Sequence, residues 1–108
     1  MTSSRDLKGQ LDVMLLAVIA SGERYGYAII RSLQQRSNGR FAMKEGTVYP
    51  ALHRLEDAGL VMSRLEPVDG RQRRVYELTG PGRASLVEQR AAWDDYAASV
   101  TAVLGLST

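Results

Sequence analysis

The chain has 108 residues, 44% of them hydrophobic and 24% charged, with a formal net charge of +2; that is enough for one domain of modest core, and the mildly basic balance is compatible with a polyanionic partner without demanding one. With no cysteine and a single histidine, His53, disulfides, thiolate chemistry and zinc fingers are excluded, and no cofactor or protein-only metal site is expected. No apolar run approaches the roughly 20 residues that cross a bilayer, and the polar start MTSSRDLKGQ lacks a signal-peptide core, so a cytoplasmic protein with no membrane partner is expected.

The first predicted element is a helix over 7–20. Leu11, Met14, Leu15, Val18 and Ile19 recur at i, i+3, i+4, i+7 and i+8, and Leu7 extends the stripe backwards. Leu16 and Ala17 widen it. Such a helix is covered on more than one side, either in a core or between a core and a partner subunit. Ser3 or Ser4 can cap its start, and Ser21-Gly22 ends it. Residues 23–27, ERYGY, form a turn that opens a second helix, and Gly26 between two tyrosines points to close backbone packing there. Ala28, Ile29 and Leu33 make the apolar face of that helix; Arg31, Gln34, Gln35 and Arg36 make the polar one, and Ser37-Asn38-Gly39 stops it. Residues 40–43 are too short to assign and have room for one or two residues of edge strand.

Residues 44–60, KEGTVYPALHRLEDAGL, read as a third helix with two unlike faces. Val48, Ala51, Leu52, Leu55 and Ala58 form one apolar stripe, and Thr47, Tyr49, Pro50, His53, Arg54 and Asp57 lie off it. A dry back and a front of hydroxyl, phenol, imidazole and guanidinium suit a nucleic-acid groove; the plain alternative is an ordinary surface helix. Pro50 disfavours helical geometry at Tyr49 and cannot donate to the carbonyl of Gly46. Because Val48 is in phase with Leu52 and Leu55, a bent first turn from about Glu45 is nevertheless expected. Gly59 is the expected C-terminal stop.

Residues 61–79 read as a hairpin, with Asp69-Gly70 as its tight turn. Arg71, Arg73 and Arg74 cluster near the tip, either as a solvated loop or as a clamp on phosphates. Thr79 is a good N-cap, and Pro81 falls in the first turn of a last helix over 82–104. There Leu86, Trp93 and Val100 are seven apart, Ala97 and Leu104 form a second row, and Tyr96 and Val103 broaden the seam. One small winged core cannot bury so long a stripe, which points to a second subunit. Three helices, a hairpin and a helix make a mainly α chain with a β-hairpin wing. The expected division is a winged helix-turn-helix over 1–80 and a dimerisation helix over 81–108, with the third helix in the major groove and the wing on the adjacent backbone.

Over about residues 11–93 the sequence resembles the PadR family of bacterial transcriptional regulators, in particular its short subfamily with a single C-terminal helix. The matching residues are Tyr25-Gly26-Tyr27-Ala28-Ile29-Ile30, then Gly46-Thr47-Val48-Tyr49-Pro50-Ala51-Leu52 with Arg54-Leu55-Glu56 and Gly59-Leu60-Val61. Gly70-Arg71, Arg73-Arg74, Tyr76, Leu78-Thr79 and Gly82-Arg83 complete them. The GTVYPAL and GRxRR strings at this separation are specific in combination. The resemblance implies a homodimeric repressor that binds inverted-repeat operators in double-stranded DNA and is often released by a phenolic acid or a planar hydrophobic molecule. By position it implies that Thr47, Tyr49, His53 and Arg54 face DNA, that Tyr27 lies near the phosphates, and that Arg71, Arg73 and Arg74 are wing contacts. It also makes the first and last helices the dimer interface, here through Leu7, Leu11, Leu15, Leu86, Trp93, Tyr96, Val100 and Leu104. Two departures stand out. Lys44-Glu45 occupies the place of the usual serine cap: lysine cannot accept from the helix N-terminus, though it can reach a phosphate. Tyr25 stands where the family has histidine.

Trp93, the only tryptophan, has two readings: packing in the dimer seam, or a stacking platform for a planar effector with Met14 and Leu15 beside it. His53 is either a solvated helix residue or a base or phosphate contact. Glu56 and Asp57 are adjacent on a helix, so they point about 100° apart and do not converge on a substrate. There is no G-x-S-x-G, P-loop or H-E-x-x-H motif, so no catalytic residue is assigned. A different class remains open alongside the regulator: a winged protein-interaction module that turns its basic face to an acidic protein.

Overall fold

A computed structural model describes residues 4–106, and their side chains from residue 9 onward. The elements run α1 (Ser4–Ala20), α2 (Gly26–Arg36), α3 (Glu45–Asp57), β1 (Val61–Val68), β2 (Arg71–Leu78) and α4 (Gly80–Leu104). This is a winged helix-turn-helix followed by a long C-terminal helix, as the order of sequence patterns predicts. Ser4 lies inside α1, and Ser3 and the Leu7 side chain fall outside the described residues. Residues 40–43 form no strand; they are turn and irregular backbone leading to Lys44. The edge pairing comes from elsewhere, since Tyr25, just before α2, bridges Val75 in antiparallel sense.

The α1, α2 and α3 stripes meet in one core. Leu15, Leu16, Ile29 and Val48 have no exposed surface, and Leu52 has 1%. Burial of each such side chain contributes about 1.5–3 kcal/mol. β2 adds Val75, Tyr76 and Leu78, and β1 adds Val61. The hairpin is antiparallel with Val61 opposite Leu78 and Val68 opposite Arg71. That leaves Asp69 (φ 50°) and Gly70 (φ 78°) as a two-residue loop with both φ positive, the pattern of a type I′ turn. Its backbone twist matches that of the strands, so this Asp-Gly pair sets the register.

The third helix starts at Glu45, as expected, and continues past Pro50 to Asp57. In the second turn proline costs one intrahelical hydrogen bond, the one to Gly46 O, and the fully buried Val48 holds the preceding turn against the core despite that loss. At the other end Gly59 (φ 77°) donates to Glu56 O at 3.0 Å and Leu60 N to Leu55 O at 2.9 Å, a Schellman ending. The chain then meets the start of α4 in one small joint. Thr79 N donates to Leu60 O at 3.1 Å, Thr79 Oγ1 donates to Gly59 O at 2.6 Å, and Gly82 N donates to Thr79 Oγ1 at 3.0 Å. Gly82 packs so closely on Leu60 that a Cβ would sit 2.9 Å from its carbonyl carbon. The boundary expected at residue 80 thus falls at a cap whose following turns share the core, since Gly82 and Leu86 are buried. Beyond Leu86 α4 leaves the core, and the molecule is elongated, 54 × 29 × 25 Å.

Candidate nucleic-acid interface

Three elements bring their polar residues to one face. α3 exposes Lys44, Thr47, Tyr49 and His53 while its stripe faces inward. Lys44 holds extended backbone at the N-cap and gives no side-chain cap, as its chemistry predicts. Tyr49 is pinned against the start of α2. A Cβ on Gly26 would lie 2.6 Å from Tyr49 Cε1, so only glycine lets the two helices approach this closely. Burial raises the Tyr49 hydroxyl pKa above its usual value, Glu45 raises it further, and Arg73 pulls it down. Burial likewise raises Tyr76 on β2, with Tyr49 and Glu56 adding and Arg74 opposing. Both phenols therefore keep their protons at neutral pH and offer O–H donors.

The wing folds over this face. A cleft of about 220 Å³ is lined by Tyr25, Gly26 and Tyr27 at the start of α2, Tyr49 on α3, and Gln72, Arg73, Arg74 and Tyr76 on β2. A second, of about 380 Å³, lies between Tyr49, His53 and Glu56 of α3 and Arg74 and Tyr76 of the wing. Arg74 Nη1 donates to Ser63 Oγ at 3.0 Å, and Ser63 Oγ donates to Glu56 Oε2 at 2.8 Å, which ties both strands to α3. Arg71, beside the turn, is exposed and makes no ion pair among the described residues. Tyr27 is 48% exposed and stacks parallel on Tyr25 with ring centroids 5.8 Å apart. Its ring also carries the guanidiniums of Arg31, at 5.8 Å, and Arg73, at 5.2 Å.

Several sequence assignments land elsewhere. Arg54 does not join the α3 front: its Nη2 lies 3.0 Å from Asp12 Oδ1, so the fork is held on α1. His53 is exposed and sits one turn before Asp57, with Nε2 3.4 Å from Oδ2. Among the seam residues Leu11 (6% exposed), Leu15 (0%) and Leu86 (4%) belong to the chain's own core. That packing uses nearly all of their surface inside the single chain, and Leu15 in particular is fully enclosed. Leu7 lies outside the described side chains. Trp93, Tyr96, Val100 and Leu104 do stand open along α4, with Trp93 and Tyr96 in ring contact at 5.9 Å. Trp93 and Met14 line one cleft between α1 and α4, of about 290 Å³. Sequence reasoning missed Arg31, although it follows Tyr27 at i+4 on the polar side of α2, and it missed the stacking of Tyr25.

A basic, aromatic face shared by α3 and a wing defines a winged-helix DNA-binding regulator. The model of the PadR-like transcriptional regulator family matches residues 15–88, and the chain belongs to that family. Transcriptional regulator Rv3488 of Mycobacterium tuberculosis is 48% identical over 67 residues, 62% of this chain and 63% of that protein's length. Transcriptional regulator YqjI of Escherichia coli is 26% identical over 85 residues, 79% of this chain but 36% of the relative. Among solved structures, a PadR-like transcriptional regulator from Bacillus cereus superposes with a TM-score of 0.80 at 29% identity, covering 94% of this chain and 97% of the other. A PadR family regulator from Clostridium difficile superposes with a TM-score of 0.73 at 30% identity, covering 89% and 98%. These relatives are regulators rather than enzymes. No helix among the described residues is long and apolar enough to cross a membrane.

Proposed function

We propose that this protein is a cytoplasmic, homodimeric repressor that binds an inverted-repeat operator and is released from it by a small planar or phenolic effector. The observation that carries the DNA-binding part is the cleft built jointly from α2, α3 and β2, which sets Arg73 and Arg74 beside the exposed front of the recognition helix. In this reading Thr47, Tyr49 and His53 face base edges in the major groove, and Lys44, Tyr27, Arg71, Arg73 and Arg74 face phosphates. The winged part, 1–80, reads DNA; the C-terminal helix, 81–108, pairs the two copies through Trp93, Tyr96, Val100 and Leu104, which lie open in the single chain. The cleft holding Met14 and Trp93 is the candidate effector seat.

The test is a titration of the duplex upstream of the protein's own gene against a random duplex at several salt concentrations. Tighter binding to the promoter duplex, falling steeply as salt rises, is the expected result. Equal, weak affinity for both would sink the specific-regulator reading and leave a winged module for acidic proteins. Adding planar aromatic acids to the promoter complex tests the effector part, which fails if none lowers affinity.

A further inference from the structure

Arg31 and Arg73 come from different elements, α2 and β2, yet both guanidiniums pack on the ring of Tyr27, at 5.8 and 5.2 Å. Neither makes an ion pair among the described residues. This is unusual company, because two cations drawn to one ring repel each other and a cation–π contact at an exposed site contributes only about 0.5–1 kcal/mol. A carboxylate is close by. Glu66 stands directly opposite Arg73 in the hairpin ladder. It is taken by Arg64 at 2.7 Å and Arg24 at 3.5 Å, and the same two arginines hold Glu77 at 3.3 and 3.4 Å. The wing's acids are thus engaged by Arg24 and Arg64, and Arg73 is left with cationic charge and an aromatic floor. At the same place α2 begins without a side-chain cap and without an acidic residue in its first turn, so the helix start itself offers the two arginines no carboxylate.

We infer that Arg31 and Arg73 form a two-armed clamp on the DNA backbone, with Tyr27 as the platform that aims both guanidiniums. Arg31 is then a phosphate contact in its own right. Tyr27 is a positioning residue that acts through its ring rather than its hydroxyl. Arginine suits this task because its planar fork can lie on an aromatic face and still present N–H donors to phosphate oxygens. The clamp also joins the first reading element, α2, to the wing, so one strand of backbone is held from two sides. This inference rests on the DNA-binding reading above, and its test separates the two.

The experiment measures binding to a random-sequence duplex over a range of salt from about 50 to 200 mM, because phosphate contacts alone set that slope. Arg31→Gln and Arg73→Gln should each make the log–log slope shallower by about 1.8, about 0.9 for each copy in the dimer. Tyr27→Leu removes no charge but should flatten the slope as well, because the arginines lose their platform. Tyr27→Phe keeps the ring and should restore the wild-type slope. If Tyr27 only packed, Tyr27→Leu would lower the melting temperature and leave the slope intact, which overturns the platform. If Arg73→Gln flattened the slope and Arg31→Gln did not, the clamp would have one arm and the inference would fail. Tyr27→Phe behaving like Tyr27→Leu would move the role to the hydroxyl and overturn it too. A wild-type protein with no salt-dependent affinity for DNA would instead overturn the DNA-binding reading itself.

Discussion

Truncating Trp93 to alanine should dissociate the proposed dimer, and the structure sets the size of the effect. Trp93 is 50% exposed in the single chain. A tryptophan buries about 150–250 Å² when covered, so about 100 Å² is open for a partner to bury. At about 25 cal/mol per Å² its loss removes about 2.5 kcal/mol from each protomer. A two-fold interface uses the patch twice, giving about 5 kcal/mol. With a factor of ten for every 1.4 kcal/mol, the dimer Kd rises by roughly three to four orders of magnitude. Sedimentation velocity across a concentration series reads this directly. Leu86→Ala is the paired control: Leu86 is 4% exposed and belongs to the chain's own core, so its truncation should cost about 2–5 kcal/mol of folding stability. A Trp93→Ala dimer constant within tenfold of wild type would refute the seam and the area reasoning together.

Three further outcomes follow from named contacts. Arg54→Ala should leave sequence preference unchanged, because the guanidinium is held on Asp12, whereas Thr47→Ala or His53→Ala should alter it; selection from a randomised duplex pool decides, and altered preference in Arg54→Ala alone would contradict the geometry. Gly82→Ala drives a methyl into the Leu60 carbonyl, which cannot move aside as a side chain can; a loss of about 1–3 kcal/mol in urea melts is expected, and an unchanged midpoint would mean the joint is loose. Tyr76 has its pKa raised above the usual 10.0, mainly by burial, so the native state holds that proton more tightly than the unfolded chain. The stability this contributes is fully present below pH 10 and is lost as pH rises through the raised value. Tyr76→Phe should therefore lose less stability than wild type on alkaline titration, and identical alkaline slopes would refute the burial argument.

Local signals carried most of the fold. The Asp69-Gly70 turn, the Thr79 cap and the Gly59 stop are each set by a residue or two whose backbone needs are specific, so they could be read without knowing the neighbours. Pro50 could have misled, but the phase of Val48 with Leu52 outweighed it. The seam was harder. A seven-residue spacing says that Leu86, Trp93 and Val100 share a helix face, not what covers each of them; Leu86 joins the chain's own core, whereas Trp93 stays half exposed at the edge of the α1–α4 cleft. Leu11 and Leu15 also pack in the chain's own core, and an apolar stripe looks alike whether its cover is the same chain or another. Arg54 escaped prediction because its partner, Asp12, lies 42 residues away. The Arg31–Tyr27–Arg73 cluster escaped because only the fold brings β2 over α2.

The joint at Gly59, Leu60, Thr79 and Gly82 has a mechanical consequence. The end of the recognition helix, both ends of the hairpin and the start of α4 all attach there. Of the 25 residues of α4, those after the buried Leu86 form the free arm, a lever of about 27 Å at 1.5 Å per residue. A shift of about 2 Å at its far end corresponds to a rotation of only about 4° at its base. The joint is fixed by two hydrogen bonds to the backbone just past α3 and by a glycine with no room for a methyl. It has little slack, so the outer helix and the end of α3 are coupled through a short, stiff joint rather than a loose linker.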